Sequence, residues 1–81
     1  MLVDSVTLQD TFGCSGSVVC QIRKIIKDNP ERYGPYRISG RLTHAGAFLD
    51  AKTNRKLLEA GLPAPEYDEA KAVSMVKEMM T

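Results

Sequence analysis

A chain of 81 residues, 43% of them hydrophobic and 26% charged, is long enough for one domain with one small core and lies outside the disordered class. No apolar run approaches the ~18–20 residues that cross a bilayer, and Met1-Leu2-Val3-Asp4-Ser5 lacks the basic start of a secretory leader, so a cytoplasmic protein with no membrane partner is expected. The net charge of +1 hides a division: residues 21–56 carry nine Lys and Arg against three Asp and Glu, a net +6, whereas residues 62–81 sum to −2. A basic middle segment suits a polyanionic partner.

Thr7 with Asp10 resembles a capping box, because the threonine hydroxyl can satisfy an orphan amide of a first helical turn. Leu8 and Phe12 give that first helix a short apolar stripe, and Gly13 supplies the left-handed conformation that ends it. After the turn Phe12-Gly13-Cys14-Ser15, a second helix is capped by Ser15 or Ser17. Val18, Val19, Ile22, Ile25 and Ile26 repeat at helical spacing until Asn29-Pro30 stops the run. Val19, Ile22 and Ile26 should pack on the first helix, with Val18 and Ile25 widening the stripe, while Gln21, Arg23, Lys24 and Lys27 remain on the flank and outer face.

Tyr33-Gly34-Pro35-Tyr36 announces a turn, after which Tyr36 and Ile38 alternate with Arg37 as in a strand. Ser39-Gly40 is a plausible reversal, and Leu42, His44 and Ala47-Phe48-Leu49 can supply a returning strand that places Arg37, Arg41 and His44 near a hairpin tip. The competing pattern is a helix from Thr43 through Phe48 and Ala51, which Gly46 disfavours. Asp50 can cap a helix that includes Leu57 and Leu58 and ends at Gly61, and Pro63-Ala64-Pro65 breaks the chain. Asp68 then caps a last helix in which Ala72, Met75, Val76 and Met79 share one face, suited either to the chain's own core or to an oligomer contact.

Catalytic chemistry finds little support. A nucleophile needs a base within hydrogen-bond reach, and His44 is the only histidine, with nothing nearby to pair it with Cys14 or Cys20. The two cysteines, six positions apart, fit neither a zinc pair nor a redox Cys-x-x-Cys and are expected as small buried residues. No glycine-rich phosphate loop follows a strand. The expectation is therefore a non-enzyme without metal or cofactor. DNA binding requires less: a helix that enters the major groove and surrounding groups that hold phosphates. Ser15 and Ser17 at the helix entrance, Gln21, Arg23, Lys24 and Lys27 along it, and Arg37 and Arg41 on the hairpin are the candidate DNA contacts.

The run Thr7 to Ile22 resembles the helix-turn-helix of the excisionase and MerR-like winged-helix family. Gly13 and Ser15 fall at its turn, and Val19 and Ile22 at its apolar helix positions. Ala47-Phe48-Leu49-Asp50 followed by Leu57-Leu58 is similar to its second wing strand and the helix after it. The likeness covers about residues 6–60; the chain departs from it in a shorter first helix without Glu-Ala-Ala and a longer segment before the wing. The resemblance implies a phage, plasmid or transposon protein that binds repeated DNA sites, often cooperatively, and directs recombination or represses transcription. The expected fold is mainly α with a small β-hairpin: a winged helix-turn-helix over residues 1–61, then a linker and a C-terminal amphipathic helix over 62–81. Double-stranded DNA is the expected partner of a homodimer or cooperative array. The alternative is a protein-binding adaptor or inhibitor acting through its C-terminal helix.

Overall fold

The computed structural model describes all residues, Met1–Thr81. The chain is mainly helical with a small three-stranded antiparallel sheet of order β1-β3-β2. β1 (Leu2–Val3) leads into α1 (Ser5–Phe12) and α2 (Gly16–Asp28), followed by a short α3 (Pro30–Tyr33). The hairpin β2 (Ile38–Ser39) and β3 (Leu42–His44) precedes α4 (Ala45–Thr53), α5 (Arg55–Glu59) and the terminal α6 (Glu69–Met80). No helix is long and apolar enough to cross a membrane.

Local signals explain α2 well. Ser15 Oγ accepts from the Val18 amide at 3.2 Å, one of the four amides that a helix start leaves unpaired. Gly13, at φ 62° and ψ 42°, ends α1 with its amide on the Gln9 carbonyl, a conformation that costs glycine little. Val19, Ile22, Ile25 and Ile26 are buried and Val18 packs half-buried beside them. α1 begins earlier than expected: its cap is Asp4, whose Oδ1 accepts from the Thr7 amide at 2.8 Å, so Thr7 lies inside the first turn.

The largest correction falls on Ala47-Phe48-Leu49, which belong to α4 and not to a returning strand. Leu42 and His44 do return, pairing Ser39 with Leu42 and Ile38 with Thr43. β3 also takes β1 on its other edge, Val3 opposite Thr43 and Leu2 opposite His44. His44 then turns the chain into α4 as its N-cap, its Nδ1 accepting from the Ala47 amide at 3.2 Å. Glycine in a helix costs ~1 kcal/mol relative to alanine, yet at Gly46 the surrounding side chains leave only tight room for a larger residue. A Cβ there would stand 3.0 Å from Val73 Cγ2 on α6 and 3.1 Å from His44 Cε1. The helical spacing of Ala47, Phe48 and Ala51 turns these small residues and one aromatic ring into the centre of the core, where Phe48 meets Phe12 at 4.9 Å between ring centroids.

Asp50 caps no helix; it lies within α4, and its carboxylate ties that helix to α3 and to Asn54 at the α4–α5 junction. It accepts from Arg32 Nε at 2.8 Å and Nη2 at 3.1 Å, from the Tyr33 hydroxyl at 2.7 Å and from Asn54 Nδ2 at 3.2 Å. Arg32 also donates to the Pro65 carbonyl, which fastens the Pro63–Pro65 linker to the body. α6, capped by Asp68 at 3.1 Å to the Lys71 amide, packs along α4 with Ala72 and Val76 buried.

Candidate nucleic-acid interface

α2 turns its apolar stripe inward, so helical geometry leaves Ser17, Cys20, Gln21, Lys24 and Lys27 exposed on the opposite side. Cys20 therefore corrects the expectation of two buried cysteines; Cys14 alone packs half-buried on the core. Ser15 is committed to capping α2. Ser17 accepts from Gln21 Nε2 at 3.4 Å, and Gln21 Oε1 in turn accepts from Arg55 of α5. Arg55 also meets Glu59 at 2.5 Å. The cleft beside this chain is lined by Gln21, Lys24, Asp28, Arg55 and Glu59, two cations against two carboxylates. Gln21 is thus held sideways toward α5.

Three arginines of the basic segment are neutralised within the fold: Arg32 by Asp50, Arg37 by Glu69 and Arg55 by Glu59. Lys24, Lys27 and Arg41 have no carboxylate at ion-pair distance, and all three are exposed. Arg41 occupies the second position of the two-residue hairpin turn. Gly40 at the first has φ +57°, and positive φ there alone matches a type II′ turn, which glycine accepts without strain. Of Arg37, Arg41 and His44, only Arg41 sits at the tip.

Arg37 lies at the hairpin base, with Nε 2.7 Å from Glu69 Oε1 on α6 and Nη1 donating to the Pro35 carbonyl at 3.0 Å. The same carboxylate oxygen accepts from the Tyr67 hydroxyl at 3.3 Å and lies 3.7 Å from His44 Nε2. His44 is buried rather than on the surface. Burial, then the positive N-terminus, then Arg37 hold its pKa below the ordinary value, against the opposing pull of Glu69. With Nδ1 accepting the α4 amide, the neutral ring carries its proton on Nε2, toward Glu69.

Family models, curated proteins and solved structures provide no match to this chain. Its physical features alone therefore bear on function. No three His, Cys, Asp or Glu side chains converge to hold a metal ion.

Two features escaped sequence reasoning. Arg23, expected as a DNA contact, donates from Nη2 to the Gly40 carbonyl across the hairpin turn, and its Nε is enclosed without a partner. Tyr36 holds φ 63° while its side chain is 86% exposed; it borders a shallow groove with Lys27 and Arg37. The Gly34-Pro35-Tyr36 turn signal was readable, but it did not reveal that the tyrosine takes the left-handed position. On α6 the predicted face divides: Ala72 and Val76 are buried against α4, whereas Met75 and Met79 point outward.

Proposed function

We propose that this chain is a sequence-specific, cytoplasmic double-stranded DNA-binding protein that works without catalysis or cofactor, with α2 as recognition helix and the β2–β3 hairpin as wing. One observation carries the reading: an exposed helix face with Lys24 and Lys27 unpaired stands beside a hairpin tip with Arg41 unpaired, and Arg23 joins the two. A helix of ~10–12 Å diameter fits the ~12 Å major groove, where Lys24 and Lys27 would hold phosphates or base edges. Arg41 would then reach the adjoining backbone or minor groove. The roles that suit the resemblance are transcriptional regulation or recombination directionality in a mobile element, with the protein bound as a dimer or cooperative array.

The double variant Lys24→Ala/Lys27→Ala is expected to weaken binding to a duplex selected from a random library while leaving thermal unfolding nearly unchanged. Unaltered affinity would refute the assignment of this face. A second reading, a protein-binding adaptor, is favoured by the outward Met75 and Met79 with Met80 exposed beside them; adaptable methionine surfaces suit partner helices. Binding that is indifferent to salt would favour that reading over DNA.

A further inference from the structure

We infer that Arg23 is a positioning residue, fixing the wing tip against the recognition helix rather than reading DNA itself; this rests on the DNA-binding reading above. The wing is too short to hold its own shape. Two residue pairs and one further bond, from the His44 amide to the Arg37 carbonyl, join the arms of the hairpin, and so small a hairpin needs outside packing to be stable. Its base has such support through Arg37 and Glu69. Its tip has Arg23, which reaches back from α2 over seventeen positions and donates to the carbonyl of Gly40.

The guanidinium is poorly placed to act as a reader. Arg23 is half-buried, its Nε is enclosed, and one donor is already engaged with backbone. Lys24, the next residue, is exposed and unpaired. Because Gly40 immediately precedes Arg41, fixing the Gly40 carbonyl also fixes where the Arg41 side chain starts. A cation on a mobile tip must be ordered on binding, whereas one on a braced tip is already positioned, and preorganisation of this kind raises affinity without a new contact. The contribution of Arg23 to binding should therefore pass through Arg41.

Two measurements test this. In the free protein, Arg23→Ala is expected to lower the 15N heteronuclear NOE of Gly40 and Arg41 and to leave that of α2 unchanged. Arg23→Met, which keeps the apolar stem and removes the donor, should do the same, and Arg23→Lys should recover part of the order. On a selected duplex, Arg41→Ala should weaken binding about tenfold in the wild-type background and less than about twofold when Arg23 is already Ala. Multiplying effects of the two substitutions, or an unchanged NOE at the tip, would overturn the inference. Absence of duplex binding by the wild-type protein would instead remove the DNA reading, and the NOE comparison would decide the brace alone.

Discussion

Arg32 and Asp50 meet through two parallel hydrogen bonds, Nε to Oδ2 at 2.8 Å and Nη2 to Oδ1 at 3.1 Å, with side-chain exposures of only 15% and 13%. A guanidinium matches a carboxylate in this bidentate way because its donors form a rigid planar fork. The pair joins α3 to α4, and Arg32 extends the tie to the linker before α6. Tyr33 donates to the same carboxylate and lies edge-on to Tyr67, 5.1 Å between centroids. Burial, followed by the bond to Asp50, raises the Tyr33 phenol far above its usual range.

Asp50→Ala should cost ~2–4 kcal/mol, since it leaves a partly buried guanidinium and a phenol without their acceptor. A domain this small carries little reserve, rarely more than ~3–5 kcal/mol, so much of the population is expected to unfold at moderate temperature. Denaturant unfolding checks this; a loss under ~0.5 kcal/mol would show that water replaces the carboxylate at little cost.

His44 gives the fold a pH dependence. Its folded pKa lies below the unfolded value of 6.5, so folding favours the neutral ring. That contribution is complete above pH 6.5 and is lost as the pH falls through the folded pKa, where the unfolded chain binds the extra proton. Asp4, also lowered, acts in a separate window below pH 3.8. His44→Asn keeps a capping acceptor and removes the titration. Melting temperatures between pH 7 and 5 should drop in the wild type and stay flatter in the variant; equal slopes would remove His44 as the cause.

Tyr36 holds a left-handed backbone that costs a side-chain-bearing residue ~1–2 kcal/mol, while its ring is almost wholly exposed. Tyr36→Gly removes that strain at the cost of a more flexible unfolded chain, ~0.4–1 kcal/mol. Stability is expected to stay level or rise by up to ~1 kcal/mol. A clear loss would mean that the ring supports the fold.

On α6 the two kinds of position should separate. Val76 is fully buried against α4, so Val76→Asp is expected to unfold the protein by placing an unpaired charge in the core. Met75→Asp on the outward face should leave the monomer folded and reduce oligomer mass or cooperativity. Sedimentation giving the same mass before and after would exclude that face from self-association.

The elements readable from sequence are those whose signals are local. Gly13 marks the end of α1, Ser15 and Asn29-Pro30 mark the ends of α2, and Asp68 marks the start of α6. α4 was obscured because the justification for Gly46 lies in Val73 and His44, a packing contact that propensity does not contain. β1 consists of two residues whose ladder partner is β3, too little pattern to register. Periodicity grouped Ala72, Val76, Met75 and Met79 on one face; the position of α4 decides which pair turns inward. The candidate interface was half legible for the same reason. Lys24 and Lys27 follow from the helical period, but Arg23 and Arg37 owe their roles to Gly40 and Glu69, partners that only the tertiary fold brings near.

The most direct test of the central claim is the binding constant for duplex DNA measured across salt concentrations. If Lys24, Lys27, Arg41 and neighbouring cations neutralise phosphates, log K should fall linearly with log salt, with a slope of about −0.9 for each phosphate engaged. The slope should be shallower in Lys24→Ala/Lys27→Ala. No retention on duplex DNA at low salt, or a constant that salt does not change, would contradict it.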